Sequence, residues 1–252
     1  MPLAPATAAD EPVMRVHASL EDNWTAAAAE IRGLMLGRQR LNVLEAGGGS
    51  RTNVDFMPEA RFTTIDISPE QLERNSYAEQ KILADVETYE DYPRDYDMII
   101  CNDLLEHLPR PEAALQRLVR HLAMNGLLIV GGPIPTSFKG IFTKLTPHAV
   151  HVAVYRYLFG QATAGQPGHP PFPAYLRWAI SPDGLSRWAR AAGLKVAYRG
   201  CSKPSWAIAR LRNFHPAAAG LYTGGMNLLR LLSLQTWRAD LTDMVMVFQR
   251  RP

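Results

Sequence analysis

The residues best spaced for chemistry lie in the first half of the chain. Glu45-Ala46-Gly47-Gly48-Gly49-Ser50 follows a short apolar run, and Asp66 comes 19 residues after Gly47. Glycines let a backbone turn tightly and approach a ligand closely. A carboxylate about 20 residues beyond such a turn suits ribose hydroxyls. The phosphate-binding pattern G-x-G-x-x-G would need glycine at position 52, which is Thr52, so a nucleoside without a pyrophosphate fits better than a dinucleotide. Asp85 could accept from an adenine amino group; its plainer reading is a helix N-cap or a solvated loop residue. Asn102-Asp103 is a further polar pair after an apolar run. The candidate general bases are His107, His148, His151 and His169.

These residues must be carried by strand tips. Asn42–Gly48, Phe62–Ile67, Lys81–Val86, Tyr96–Cys101 and Leu127–Val130 read as buried strands. Helical spacing of Val13, Val16, Leu20, Trp24, Ala27, Ala28, Ile31 and Leu34 predicts a helix over 11–38. Ser68-Pro69 is a helix start. Arg110–Met124 reads as a helix closed by Asn125-Gly126. Strands alternating with helices predict an α/β fold, a mostly parallel sheet covered on both faces. In such sheets ligands bind beyond the carboxyl ends of the strands, where the strand order reverses.

After Gly132 the pattern breaks. Residues 133–179 hold seven prolines, too long and too aromatic a stretch for a plain linker, and read as an insertion or lid. Ser181–Ala192 is a capped helix stopped by Gly193, and Lys195–Gly200 a strand. Residues 213–237 read as one apolar helix interrupted near Gly224-Gly225. Ordinary core packing is its expected role; a greasy acceptor, a homodimer interface or a membrane surface are the alternatives. Met244–Phe248 is a last strand, beside 195–200 and able to run antiparallel to it.

Composition sets the outer limits. The chain has 252 residues, 47% hydrophobic and 20% charged, which excludes a disordered or low-complexity protein. No apolar run approaches the roughly 18 residues of a membrane span. The start of the chain lacks the pattern of a signal peptide. Two cysteines, Cys101 and Cys201, cannot build a disulfide framework or a zinc cluster, so a cytoplasmic setting is expected. Charge is divided: residues 1–125 hold 12 Lys/Arg and 21 Asp/Glu, net −9, and residues 126–252 hold 15 and 3, net +12. Such a split suggests that the basic half meets something anionic, or that two solvated faces differ.

Glu45–Ser50, Asp66, Asp85-Val86 and Cys101–Pro109 (CNDLLEHLP), in this order, resemble the class I methyltransferases that use S-adenosylmethionine, within them most the small-molecule branch that includes the ubiquinone-type enzymes. The resemblance covers 42–133 well and 181–200 and 244–248 weakly. It implies a Rossmann-like, seven-stranded sheet with a lid insertion after strand 5 and a helical cap before the last strand. The whole chain would be one domain: a cofactor half to residue 133, a lid at 134–180 and a C-terminal half with its cap at about 202–240. It implies that Gly47 and Gly49, with Ala46 and Gly48, pass under the methionine part, and that Glu45 orients the loop or the amino group. Asp66 would hold the ribose and Ile67 pack on adenine. Asp85 and Val86 would meet the adenine ring, and Asn102-Asp103 the methionine amino group. Gly48 departs from the commoner cysteine, threonine or acidic residue and only loosens the turn.

Methyl transfer is mostly alignment of a nucleophile with an already electrophilic carbon; a hydroxyl acceptor also needs a base. His148, His151 and Tyr155 fall near one face of a helix in the lid. His107 is expected to be structural more than catalytic. No metal is expected: metal-ligand spacings are missing. Lys144, Arg156, Arg177 and Arg187 suit a small-molecule acceptor bearing phosphate or carboxylate. Nucleic acid is disfavoured, because Asn102–Leu105 lacks the Pro-Pro-aromatic run of base-methylating enzymes and no RNA-binding module is seen. A protein that binds S-adenosylmethionine without methylating is the remaining alternative.

Overall fold

Alternation along the central strands sends successive side chains to opposite faces of one sheet. Leu44, Ile99, Cys101, Leu128, Val130, Met246 and Phe248 enter one core; Val43, Met98, Ile100, Leu127, Ile129, Val245 and Val247 enter the other. All are buried at both faces, each contributing roughly 1.5–3 kcal/mol. The computed structural model describes residues 11–50, 52, 60–158, 160–214, 216–233 and 238–251. Its strands are β1 (Arg15–His17), β2 (Asn42–Ala46), β3 (Arg61–Asp66), β4 (Gln80–Leu83), β5 (Tyr96–Asn102), β6 (Leu122–Pro133), β7 (Leu194–Ser202) and β8 (Asp243–Arg250). Its helices are α1 (Leu20–Leu34), α2 (Pro69–Arg74), α3 (Pro111–Arg120), α4 (Phe138–Leu145), α5 (His148–Ala153), α6 (Pro182–Ala191), α7 (Ser205–Phe214) and α8 (Pro216–Leu232).

The sheet order is β1-β7-β8-β6-β5-β2-β3-β4. Strands β6, β5, β2, β3 and β4 run parallel, and β8 is antiparallel to both β6 and β7. From β2 the chain steps outward to β3 and β4, then returns to place β5 on the other side of β2. The order therefore reverses between β2 and β5, which puts Gly47 and Asn102 side by side at the switch point.

Four expectations are corrected. Among the described residues the sheet has eight strands, not seven. The eighth is β1, taken from the front of the expected helix: Arg15–His17 pairs parallel with Gly200–Ser202. The hydroxyl of Ser19 accepts from the Asp22 N–H and starts α1 at Leu20, while Val13 and Val16 face solvent, so their spacing was not a core stripe. Second, α3 ends at Arg120, before Asn125-Gly126. β6 starts at Leu122 opposite Tyr96 and resumes at Leu127 opposite Met98. Asn125, with φ of 59°, lies in that irregularity. Third, β4 stops at Leu83, short of Val86, because Asp85 folds into a turn: its carbonyl accepts from Thr88 and Tyr89 and its carboxylate from Glu87. Fourth, the apolar helix is two helices. α7 already begins at Ser205, α8 restarts at Pro216, and Gly224-Gly225 stay inside α8. Proline lacks the N–H a continuing helix needs and suits a first turn. α8 buries Ala219 and Met226 but exposes Leu221, Leu228, Leu231 and Leu232, so core packing accounts for one of its faces alone.

Other boundaries match the sequence. Ser68 and Ser181 cap α2 and α6 with proline at the helix start, and β7–β8 is antiparallel. Among the described residues no helix is long and apolar enough to cross a membrane.

Candidate active site

Strand β2 ends in a loop whose shape depends on glycine. Gly47 has φ of 67°, and a Cβ there would lie 2.8 Å from Leu104 Cδ1. The turn after β5 thus packs directly on the loop after β2. The Gly49 N–H donates to Asp66 Oδ2 at 3.0 Å, and the Ser68 N–H donates to Oδ1 at 2.8 Å. Two backbone donors thus fix both oxygens of the Asp66 carboxylate at the tip of β3. The loop's carbonyls are held from behind: Asn75 Nδ2 donates to Gly49 O at 2.7 Å and the Tyr77 hydroxyl to Gly48 O at 3.2 Å. Glu45 is buried and accepts from Thr52 Oγ1 at 3.0 Å. Burial and the neighbouring Glu45 carboxylate push the Tyr77 phenol above its ordinary range.

The structure brings Glu45, Ala46, Gly47, Gly48, Gly49, Asp66 and Asn102-Asp103 together at the switch point. Ile67 is 73% exposed beside Asp66, an apolar surface open to a flat ring. Asp85 sits in its turn with Oδ1 accepting from the Glu87 N–H at 2.8 Å; a turn and not a helix follows it, so it is a loop residue rather than a helix N-cap. Val86 is buried in the core. Asn102 Nδ2 donates to Asp103 Oδ2 at 3.0 Å, and Asp103 takes φ of 50°. Trp24 packs where a Gly131 side chain would stand, next to Asn102.

A second group of polar side chains assembles beyond the tips of β5 and β6. Lys139 of α4 donates to Asp243 Oδ1, at the start of β8, at 3.1 Å. Lys139 also interacts with Asp103 and Tyr155, and both Lys139 and Asp243 with Tyr222 of α8. Phe138 packs edge-on against Tyr222. Asp103 and Glu106 repel each other, and Lys139 and Asp243 act on both. Glu106 is 5% exposed. Its Oε2 lies 3.3 Å from where a Gly132 Cβ would stand, and Gly132 has φ of 152°. Burial, reinforced by Asp103, raises the Glu106 carboxyl to about 8. Burial also raises the Asp103 carboxyl, with Asp243 adding to it.

Residues 168–177 run across this site as a strap fastened at two places. At one end Gly168 O accepts from Gln71 Nε2 (2.9 Å) and Arg74 Nη2 (2.6 Å) of α2, and Arg74 meets the His169 ring. At the other, the Tyr175 and Leu176 N–H groups donate to Glu106 O at 2.7 and 3.1 Å, and Arg177 Nε donates to Pro109 O. His107 Nδ1 lies 2.6 Å from Pro173 O.

The three catalytic candidates differ in place. His107 closes the 3-10 turn Leu105–His107, which follows Leu104, the residue packed on Gly47. His148 opens α5 and acts electrostatically on His107. The His151 ring is 2.8 Å from Thr146 Oγ1 and edge-on to Phe142, within the insertion itself. Sequence reasoning missed Glu106, Lys139, Tyr222 and Asp243. Glu106 was in view within CNDLLEHLP; the other three carry no local signal, since only folding joins positions 104 residues apart. Cys101 and Cys201 are buried free thiols, each raised to about 12 by burial. Among the described residues no three His, Cys, Asp or Glu side chains are arranged to hold a metal.

Residues 17–198 match a family described as a methyltransferase domain. A ubiquinone biosynthesis O-methyltransferase of Pseudomonas putida is 23% identical over 185 residues, covering 70% of this chain and 71% of that protein. An uncharacterized protein of Synechococcus sp. is 32% identical over 110 residues, which are 38% of this chain; the chain spans 26% of that protein's length. The solved structure of a putative sarcosine dimethylglycine methyltransferase from Galdieria sulphuraria shares the fold, with a TM-score of 0.53 and 17% identity over 92% of this chain and 85% of the other.

Proposed function

The chain belongs to the methyltransferase-domain family, and on that premise we propose that it transfers the methyl group of S-adenosylmethionine to a hydroxyl oxygen of a small-molecule biosynthetic intermediate. The observation that carries this reading is the Gly49–Asp66 hydrogen bond at the switch point. It joins a glycine loop with room for a ligand's backbone approach to a carboxylate already oriented for a ribose.

The residues fit the cofactor. Asp66 would accept from the two ribose hydroxyls, Ile67 would cover the adenine, and Asp85 would take its amino group with Val86 behind. Gly47, Gly48 and Gly49, with Ala46, would underlie the methionine part, whose amino group Glu45 and Asn102-Asp103 would orient. Bound there, S-adenosylmethionine supplies an electrophilic methyl carbon. The chain's own part is to align the acceptor and accept its proton.

The side chains beyond β5 and β6 are the acceptor chamber in this reading, and the insertion 134–180 its lid. Of the three histidines, His107 is best placed as base, because its turn follows Leu104, packed on Gly47, and holds Glu106 of the chamber. His148 and His151 stand further out and would contact the acceptor. Residues 134–182 carry Lys139, Lys144, Arg156 and Arg177 and no carboxylate. An anionic tail on the acceptor, away from its reacting hydroxyl, would suit this outer surface.

The test is turnover. Purified protein is incubated with S-adenosylmethionine and a panel of phenols, catechols and sugar alcohols, and S-adenosylhomocysteine release is measured. Acceptor-dependent release supports the proposal. Tight cofactor binding with no release for any acceptor, amines and nucleic acid included, would replace it with a binding protein that does not methylate.

A further inference from the structure

We propose that the outer face of α8, with the basic chain around it, docks the protein on an anionic membrane surface. This does not depend on which acceptor is methylated. Antiparallel neighbours can be joined by a two-residue turn, yet residues 203–242 lie between β7 and β8. Most of them form α7 and α8, an excursion that the sheet itself does not require.

Position along α8 separates two apolar faces. Ala219, Tyr222 and Met226, at i, i+3 and i+7, face inward: Ala219 and Met226 are buried, and Tyr222 packs edge-on against Phe138 of α4. Leu221, Leu228, Leu231 and Leu232 fall on the other side of the helix and are 55–78% exposed. A Cβ at Gly220 or Gly224, on that side too, would meet nothing within 4 Å among the described residues. A surface helix that packs by one face ordinarily turns polar groups outward. This one turns leucines to solvent, and an exposed apolar patch marks an interaction site. The patch continues into α4, where Phe142 and Leu145 share the Phe138 face at i+4 and i+7 and are exposed.

Charge identifies the partner. Residues 184–239 contain no Asp or Glu, and Lys203, Arg210, Arg212, Arg230 and Arg238 lie within or beside the two helices. Lys203 and Arg212 are exposed. The three carboxylates of residues 126–252 are already in ion pairs: Asp183 with Arg199, Asp240 with Arg238 and Asp243 with Lys139. The surplus of cations on this half is therefore not neutralised within it. An anionic lipid layer answers both features. Leucines enter the acyl boundary, and lysine and arginine stems lie along it with their charges at the phosphates. A second copy of the chain answers only the apolar feature, because a twofold interface sets this surface against itself and brings like charges together. A nucleic acid answers only the charge and leaves the leucines in water. One face of α8 stays packed on the fold, so the helix lies along the layer and does not cross it.

Vesicle sedimentation of the full chain tests the proposal, with vesicles of phosphatidylcholine alone and of phosphatidylcholine mixed with phosphatidylglycerol, at low and high salt. The wild type should bind the mixed vesicles, less so at high salt because exposed charges are screened, and should bind phosphatidylcholine at least about tenfold more weakly. Leu228→Gln/Leu231→Gln, which alters exposed side chains and none in the core, should weaken binding by about tenfold or more. Arg212→Gln should weaken it by about fivefold. Leu36→Gln, at an 87% exposed leucine just beyond α1, should bind as the wild type does. Thermal unfolding establishes that each variant is folded. No binding to mixed vesicles at low salt would overturn the proposal. Undiminished binding by the double-leucine variant would overturn it too, leaving charge alone as the cause. A dimer seen by sedimentation velocity and lost in that variant, with no vesicle binding, would assign the face to a second copy instead.

Discussion

The loop after β2 and the polar side-chain cluster after β5 and β6 are adjacent and built in opposite ways. In the loop, backbone does the holding. Gly49 and Ser68 N–H groups fix both oxygens of Asp66, and Asn75 and Tyr77 brace the loop carbonyls. In the polar cluster, side chains meet across long stretches of sequence: Lys139 bonds Asp243 and Phe138 packs on Tyr222, while Asp103 and Glu106, from a third element, feel the charges of Lys139 and Asp243. Backbone donors are fixed once the strands form, so the first region is preorganised. The second depends on the insertion and α8 staying packed. A site fixed by backbone suits an invariant ligand, and a site assembled from side chains can change its ligand without changing the sheet.

Breaking the sheet should abolish the contrast altogether. Ile100 is fully buried in the middle of β5, beneath both regions. Ile100→Ala should cost about 2–5 kcal/mol in urea unfolding and weaken cofactor and acceptor functions together. Loss of one function alone would show that the two regions do not share the sheet as their support.

Next in size is a pH effect confined to the cluster. The Glu106 carboxyl is raised in the folded chain from an ordinary value of 4.5 to about 8. Between these values the folded state binds more protons than the unfolded, so stability falls as pH rises through that window. The loss should be on the order of 2–4 kcal/mol between pH 5 and 9. Glu106→Gln should flatten it, as measured by unfolding at a series of pH values. An unchanged slope would place the titrating group elsewhere.

Gly47→Val should damage the loop selectively. It adds a side chain at positive φ and against Leu104, with an expected cost of about 1–3 kcal/mol and weaker S-adenosylhomocysteine binding. The smallest effect should come from His151→Ala. Its ring bonds within the insertion, so cofactor affinity should stay within about twofold, and any change should be in turnover; a large fall in affinity by calorimetry would tie α5 to the loop.

The same contrast decides what the sequence discloses. Asp66 was legible because a strand, a glycine turn and one spacing suffice to place it. Ser68 and Ser181 were legible because caps are local. Val13 and Val16 misled because a three-residue edge strand has no period of its own and their spacing happens to suit a helix. Gly224-Gly225 misled because glycine weakens a helix by about 1 kcal/mol without ending it, while Pro216 nearby was the true break. Lys139, Tyr222 and Asp243 left no trace, since their meeting depends on how an irregular insertion crosses the sheet. Glu106 lay inside a recognised stretch, but burial gives it its chemistry, and burial at a strand tip cannot be counted from composition.

The central claim is that the loop with Asp66 binds the cofactor independently of the cluster. The direct measurement is calorimetric titration with S-adenosylhomocysteine of the wild type, Asp66→Ala and Asp243→Asn. Wild type and Asp243→Asn should bind alike, and Asp66→Ala should lose about 100-fold or more, the worth of two charge-assisted hydrogen bonds, while remaining folded at a lowered unfolding temperature, since the Gly49 and Ser68 N–H groups lose their acceptor. Equal affinity in wild type and Asp66→Ala, or a matching loss in Asp243→Asn, would contradict the account.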